Sequence, residues 1–304
     1  MLNKIKRELF YIKKLFSQHY GLFSNLNYFK NKIFGSYFLS QLPKYQSQPD
    51  PNLELHVICQ KSDLGMLEWS LRSFLHNSGL CPQIIIHDDG SIDINTAQKL
   101  EKRFSNLKIL FRVQADKLIY ENQNIPEIIK ESRRKGHRVL SQLTDIFILS
   151  KSPKVIIADS DVLFFNKLTE LTDFVNGRAS YDAIISHQPG SYDLEMDDFY
   201  VKKYNLSQAG FMNPGLIAYN KNSLKLEKLV EFFEHHRRDP YDFFLPMAGW
   251  GCLISQINYQ FFPADKYIMK GRPDANTIMK HFTGPRRYDL CVYGIDMVRT
   301  KMNK

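Results

Sequence analysis

Cysteine is scarce in this sequence, and the few that occur are not arranged as a structural framework. The 304 residues contain only Cys59, Cys81, Cys252 and Cys291. None of them form a close pair or show the spacing of a zinc site. Because small secreted domains depend on disulfides, this usage excludes a disulfide scaffold and favours a reducing compartment such as the cytoplasm.

Long apolar runs are also missing. No stretch approaches the ~18 apolar residues that a membrane-spanning helix requires, and the N-terminal segment lacks the ordered regions of a signal peptide. The sequence therefore predicts a chain that neither crosses a membrane nor is secreted. With 43% hydrophobic and 24% charged residues, the composition suits one sizeable globular domain with an extension.

Positive charge is concentrated near the N-terminus. Residues 1–50 contain eight lysines and arginines against Glu8 and Asp50, which places +6 of the net charge of +9 in this segment. Apolar residues recur there at steps of three and four, as in Leu2, Ile5, Leu9, Ile12 and Phe16. This spacing predicts a basic amphipathic helix, which either lies on an anionic membrane surface or packs on the domain. The remaining 254 residues carry only +3 and show no nucleic-acid motif, so a nucleic-acid partner is not expected.

The rest of the chain alternates short apolar runs with helical patterns. The expected strands are LELHVI, QIIIH, LKILFR, KVIIA, DAIISH and GLIAY. Strands alternating with helices predict an α/β fold with a mostly parallel sheet flanked by helices. The pattern divides the chain into a helical extension at 1–50, a single α/β domain at 51–287 and a tail at 288–304.

Two aspartates stand where a buried strand ends, in KVIIADSDVLFF. Asp159 and Asp161 are two residues apart, so on an extended chain they project to the same side. Two adjacent carboxylates repel each other unless a divalent cation holds them together. Asp88 and Asp89 follow an earlier strand, at the sheet edge where ligands gather in such folds.

The order of four segments resembles the GT-A glycosyltransferases, a family of nucleotide-sugar enzymes. The segments are GHRVLSQLTDIF, VIIADSDVLFF, MNPGLIAYN and HFTG, and they are most similar to the glycogenin-like and galactosyltransferase-like branch. The resemblance covers about Leu53 to Arg287 and implies a GT-A, Rossmann-like fold. It implies metal-dependent transfer of a hexose from a nucleotide-sugar, most commonly a UDP-sugar, to a glycan, lipid or other hydroxyl acceptor.

The same resemblance implies a set of site residues. Metal binding falls to Asp159, Asp161 and His281, with Mn²⁺ preferred over Mg²⁺ because an imidazole joins the carboxylates. Asp161 and Arg138 are the expected catalytic residues. The donor is expected to contact Asp88, Asp89, Arg138, Asp159, Asn213, Gly215, Gly284 and Arg286, and the neighbouring Arg287 also suits phosphate. Ordinary turns at DDGS and Asn-Pro-Gly, a surface arginine and a core histidine stay open as alternatives.

The stereochemical outcome is less well defined by the sequence. Inverting transfer needs a carboxylate base to accept the acceptor's proton, whereas retaining transfer needs no strong base and can use the leaving phosphate instead. No acidic residue lies between Asp242 and Asp265, where related enzymes carry an acidic or glutamine-bearing stretch. The loop GSYDLEMDDFY could supply a base from Asp193, Glu195, Asp197 or Asp198. The sequence favours retention.

Two other classes remain. A nucleotidyltransferase of a related fold would carry a glycine-rich basic loop after the first strand, whereas ICQKSDLGMLEWS has one glycine and one lysine. A decayed domain acting as a binding or scaffold protein would not need Asp159, Asp161 and His281 together. We therefore expect a cytoplasmic glycosyltransferase that can lie on the inner face of a membrane.

Overall fold

The computed structural model describes residues 2–17, 21–188 and 192–302, with side chains from Ile5 onward. The side chains of Leu2 and Lys4, and Gly190 and Ser191 of the acidic loop, lie outside the described part.

Within the described residues, ten strands form two sheets. They are β1 (Asp50–Cys59), β2 (Pro82–Asp88), β3 (Leu107–Leu110), β4 (Lys154–Ala158), β5 (Val162–Phe164), β6 (Ala183–His187), β7 (Met212–Asn220), β8 (Tyr259–Phe261), β9 (Tyr267–Ile268) and β10 (Met279–His281). The main sheet has seven strands in the order β3-β2-β1-β4-β7-β6-β8, and the small sheet has the order β5-β10-β9. Within the main sheet, β7 runs antiparallel to both neighbours and every other pair is parallel. The predicted mostly parallel sheet is confirmed.

The described chain forms helices on both faces of the main sheet and near its N- and C-terminal ends. They are α1 (Leu2–Ser17), α2 (Leu22–Gln41), α3 (Leu64–Ser78), α4 (Ile94–Glu101), α5 (Arg112–Tyr120), α6 (Glu127–Lys135), α7 (Ser141–Leu149), α8 (Thr169–Val175), α9 (Asp198–Lys203), α10 (Leu226–His235), α11 (Leu245–Ile254), α12 (Arg287–Asp289) and α13 (Ile295–Met302). A π-helical turn at Leu290–Gly294 joins α12 to α13, and we call the three together the C-terminal helix.

The central strand β4 shows why both faces are apolar. Ile156 and Ala158 belong to one core cluster, which includes residues of α3 and α4. Val155 and Ile157 belong to a second cluster, with residues of α7, α10 and α11. Because successive side chains of a strand point to opposite faces, a strand covered on both sides reads as a continuous apolar run.

The N-terminal helices pack against the C-terminal helix. Tyr11 and Leu15 of α1 and Tyr28 and Leu39 of α2 share a third core cluster with Trp69 and residues of the C-terminal helix. Polar contacts support this packing, since Lys30 Nζ lies 2.8 Å from Asp296 Oδ2 and Asn31 Nδ2 donates to the carbonyl of Cys291 at 2.9 Å. The segments divided by sequence pattern as 1–50 and 288–304 are therefore in contact with each other.

No helix among residues 2–17, 21–188 and 192–302 is both long and apolar enough to cross a bilayer.

Candidate active site

A cavity of about 770 Å³ lies beyond the carboxyl ends of the parallel strands. Strands β1, β2 and β4 end at this edge, where Gln60, Asp89 and Asp159 follow them, and the antiparallel β7 begins here. The predicted site residues that line the cavity are Asp89, Arg138, Asp159, Asp161, Asn213, His281 and Gly284. Asp88, Gly215 and Arg286 are outside this lining.

The small sheet brings His281 to the aspartate pair. Strand β10 pairs antiparallel with β5, so that His281 lies opposite Val162, and the backbone N–H of Phe282 donates to the carbonyl of Asp161 at 2.8 Å. His281 Nε2 then lies 3.3 Å from Asp159 Oδ2 and 3.1 Å from Asp161 Oδ1. One ligand atom from each of the three residues lies within 4.8 Å of the others.

The carboxylates and the imidazole of this cluster shift one another's pKa values. Burial would lower the pKa of His281, but Asp161 and Asp159 outweigh it and raise the pKa to about 9. Burial would raise the pKa of Asp161, but His281 and Arg287 hold it at about 2. Two carboxylate oxygens and one imidazole nitrogen are a donor set that fits Mn²⁺ or Mg²⁺.

The second oxygen of each aspartate is already held by a neighbouring side chain. Gln142 Nε2 donates to Asp159 Oδ1 at 2.8 Å, and Arg287 Nε donates to Asp161 Oδ2 at 2.7 Å. Each carboxylate therefore turns one oxygen towards His281. Neither Gln142 nor this role of Arg287 was predicted, although Gln142 lies one helical turn after Arg138, which the sequence did point to.

Arg287 also connects the cluster to the N-terminal helix. Its Nη1 donates to Asp63 Oδ2 at 3.0 Å, and Asp63 Oδ1 lies 3.9 Å from Nη1 of Arg7 on α1. The hydroxyl of Tyr11 donates to the carbonyl of Gly284 at 3.3 Å. Since Asp63 and Gly284 both line the cavity, α1 borders the site. No sequence signal indicated Asp63.

The acidic turn after β2 separates its two aspartates. The buried carboxylate of Asp88 accepts hydrogen bonds from the backbone N–H groups of Ser91 and Ile92 at 3.0 and 2.9 Å, which stabilises the turn. Asp89 faces the cavity instead, and its Oδ2 lies 3.7 Å from Nη1 of the exposed Arg138.

The Asn-Pro-Gly segment of β7 packs against the cluster of Asp159, Asp161 and His281. Asn213 Oδ1 accepts from the Gly215 N–H at 2.7 Å, and its amide donates to Gln188, which also lines the cavity. Gly215 lies against the imidazole ring of His281, where an added Cβ would overlap Nδ1 and Cε1. The sequence predicted that the sugar would lie against the backbone at Gly215. In the structure, His281 occupies that place instead.

The acidic loop GSYDLEMDDFY is held by ion pairs outside the cavity. Asp197 accepts from Arg237 Nε at 2.6 Å and lies 3.2 Å from His235 Nδ1, and Glu195 lies 3.4 Å from Arg238. Within the described chain, none of Asp193, Glu195, Asp197 and Asp198 lines the cavity.

No protein-family model and no curated protein matches the sequence. Among solved structures, the chain is similar to the galactosyltransferase LgtC in complex with donor and acceptor sugar analogs, with a TM-score of 0.50 and 15% identity over 82% of this chain and 95% of that one. It is also similar to the apo structure of the bifunctional glycosyltransferase WbbM, with a TM-score of 0.50 and 12% identity over 85% of this chain and 53% of that one. The likeness confirms the GT-A fold.

Proposed function

We propose that this protein is a metal-dependent glycosyltransferase, which moves a hexose from a nucleotide-sugar, a UDP-sugar first among them, to a hydroxyl of a glycan or lipid. The observation that carries this proposal is the convergence of Asp159, Asp161 and His281 in a cavity beyond the carboxyl ends of the sheet. Neither the pair nor the histidine completes such a site alone.

The three residues would hold Mn²⁺, or Mg²⁺ as the second choice. When bound there, the ion supplies a Lewis acid that neutralises the diphosphate as its bond to the sugar breaks. Gln142 and Arg287 hold the aspartates so that each offers one oxygen, and this preorganisation lowers the cost of assembling the site.

The other lining residues have matching roles in the donor complex. Asp89 accepts hydrogen bonds from the nucleoside, and Arg138 reaches the diphosphate or sugar with its exposed guanidinium. Arg287 is the better candidate than Arg286 for a phosphate contact, because it lines the cavity and its planar donor set matches phosphate. Asn213 binds sugar hydroxyls, and Gly284 leaves room for the donor.

We propose retention of configuration. Among the described residues, four carboxylates line the cavity. Asp159 and Asp161 face His281, Asp63 lies between Arg7 and Arg287, and Asp89 lies beside Arg138. Since each is engaged, the described cavity presents no clear general base for inversion, and retention needs none of comparable strength.

The proposal is tested with a panel of nucleotide-sugars in Mn²⁺, scored for nucleotide release and for thermal stabilisation. We expect Asp161→Asn to abolish metal-dependent nucleotide binding and turnover, while Asp193→Asn, which changes a carboxylate outside the cavity, retains both. Turnover that is undiminished in EDTA would exclude the metal. Pyrophosphate release from a nucleoside triphosphate and a sugar phosphate would identify a nucleotidyltransferase instead.

We also propose that the protein lies on the cytoplasmic face of a membrane through residues 1–50. Support comes from α1, where the lysines Lys6 and Lys13 are exposed beside the exposed apolar residues Ile5, Leu9 and Phe16. A basic amphipathic helix of this kind binds anionic lipid surfaces.

A further inference from the structure

A second apolar surface lies on α2, which the sequence did not single out. Its outward side chains Leu22, Phe23, Leu26, Phe29, Ile33, Phe34 and Tyr37 recur at helical spacing and form one stripe, which we call the α2 stripe. Phe23 is 83% exposed, Leu22 72% and Ile33 66%. Scattered exposed apolar residues are ordinary, but a contiguous stripe of this size marks an interaction site.

The α2 stripe is held rigidly outward by the opposite face of the same helix. Tyr28, Asn31, Gly35 and Leu39 are buried, and the guanidinium of Arg299 lies 3.7 Å from the ring centroid of Phe38. Because these contacts fix the helix on the C-terminal helix, rotation cannot bury the stripe in the core.

The charge around the stripe identifies its occupant. Helix α2 has no acidic residue, but both of its lysines are paired, Lys30 with Asp296 and Lys32 with Glu8, each at 2.8 Å. The exposed positive charge of the two helices is that of α1, at Lys6 and Lys13. A second copy of this chain would bring the same basic surface against itself in a two-fold dimer, and like charges disfavour that contact. An anionic bilayer complements both the lysines and the apolar side chains.

We propose that α1 and α2 together form a docking surface for an anionic lipid bilayer, with the α2 stripe in the acyl boundary and the lysines at the headgroups. The helix lies in the plane of the surface, because Lys30, Lys32 and its polar side chains prevent α2 from spanning a bilayer.

Docking through these helices brings the cavity to the membrane. Helix α1 contacts the cavity through Arg7 at Asp63 and Tyr11 at Gly284. A helix is about 10 Å in diameter, so the rim of the cavity lies close to the surface that α1 presents. On the basis of the proposed function, the acceptor class that fits is an amphiphile anchored in the bilayer, with its hydroxyl at the interface.

The test is co-sedimentation of full-length protein with vesicles of 30% phosphatidylglycerol in phosphatidylcholine. The double variant Phe23→Ser and Ile33→Ser is expected to bind at least about tenfold more weakly than wild type. The control Phe199→Ser makes the same change at a residue of α9 that is 67% exposed and is expected to bind like wild type. Binding is also expected to fall in high salt and with pure phosphatidylcholine.

Equal binding by the double variant, or an equal loss in Phe199→Ser, overturns the proposal. A wild-type dimer in solution that the double variant disrupts, without vesicle binding, assigns the stripe to a second copy and also overturns it.

Nucleotide release from the donor panel, measured without acceptor or lipid, separates this inference from the proposed function. We expect the double variant to release nucleotide at the wild-type rate. If no donor is turned over while the stripe variants lose vesicle binding, the proposed function fails and the docking surface stands. If turnover is normal and stripe variants bind vesicles fully, the docking surface alone fails.

Discussion

Gly215 is the residue on which the orientation of His281 depends. An added Cβ would overlap the imidazole ring and would also lie 2.7 Å from Asn213 Oδ1. Asn213 is itself held by the Gly215 N–H, so neither neighbour moves freely. The absence of a side chain at this position leaves room for Nδ1 and Cε1 of the ring next to β7, with Nε2 directed at the two aspartates.

Gly215→Ala is therefore expected to displace His281 and to weaken Mn²⁺ binding by about tenfold or more, the usual cost of disturbing a residue that supports a ligand. Titration followed by the EPR signal of free Mn²⁺ measures this directly, and His281→Ala gives the reference for loss of the ligand. The matched control is Gly65→Ala, since a Cβ at this exposed helical position meets nothing within 4 Å. Unchanged Mn²⁺ affinity in Gly215→Ala would show that the ring can adjust.

For single residues, the sequence predicted which residue types form the site better than it predicted which way each side chain faces. It indicated that Asp159, Asp161 and His281 would meet, and the structure brings them together, although metal binding itself stays a prediction. It named Arg286 for the donor site, whereas Arg287 is the arginine that lines the cavity. The 3₁₀ turn at Gly284–Arg286 decides which arginine faces the cavity, and such local geometry is not encoded in a motif.

A buried polar row joins the two strands β1 and β2. His56 Nδ1 lies 2.9 Å from His87 Nε2, and His56 Nε2 lies 3.2 Å from Glu54 Oε2. Burial lowers the pKa of both histidines, and that of His87 falls to about 3. Both imidazoles are therefore neutral in the folded protein at neutral pH.

These histidines predict a loss of stability in acid. The unfolded chain takes up protons near pH 6.5 whereas the folded chain does not, so the stability present above pH 6.5 is lost as pH falls towards 3. Below about pH 6.5, His87 contributes a slope of about 1.4 kcal/mol per pH unit, and the lowered pKa of His56 acts in the same direction. Urea unfolding in EDTA between about pH 6.5 and 4.5 measures it, a window in which most carboxylates of the unfolded chain remain ionised.

His87→Gln is expected to flatten this slope, while His76→Gln, at an exposed histidine of α3, should leave it unchanged. A slope that is the same in His87→Gln and wild type would mean that the buried histidines protonate without unfolding.

Helices and strands could be predicted where the hydrophobic pattern had a single period. All six expected strands lie in the main sheet, because apolar β-branched runs fit a sheet covered on both faces. Helix α2 lies within the predicted helical extension, but its outward stripe was not indicated, because α2 carries apolar side chains on two opposite faces and no single stripe stands out. Strand β7 runs antiparallel to its neighbours. Its direction depends on the connection that leads into it, and hydrophobic periodicity does not predict strand direction.

The N-terminal helices α1 and α2 pack against the C-terminal helix, so the two ends of the chain meet. Because the sequence pattern sets residues 1–50 apart as an extension, it predicts that residues 1–45 can be removed with turnover on a soluble acceptor preserved. The structure leads to a different expectation, because deletion would remove Tyr11, Leu15, Tyr28 and Leu39 from the core cluster that contains Trp69. Each such side chain contributes about 1.5–3 kcal/mol when buried.

We therefore expect the protein lacking residues 1–45 to aggregate or to melt well below wild type, as followed by circular dichroism and size-exclusion chromatography. The Phe23→Ser and Ile33→Ser variant keeps the buried face and should melt within about 2 °C of wild type, as surface substitutions usually do. A truncated protein with wild-type melting would show that α1 and α2 are not part of the core.

The partnership between α2 and the C-terminal helix also has a consequence for synthesis. On the ribosome, α2 emerges before the residues from Arg287 onward that bury its inner face. At about 5–20 residues per second, the interval is on the order of ten to fifty seconds. During that time α2 lacks the C-terminal helix against which its inner face packs, so the growing chain can meet a chaperone or a lipid surface before its own last helix exists.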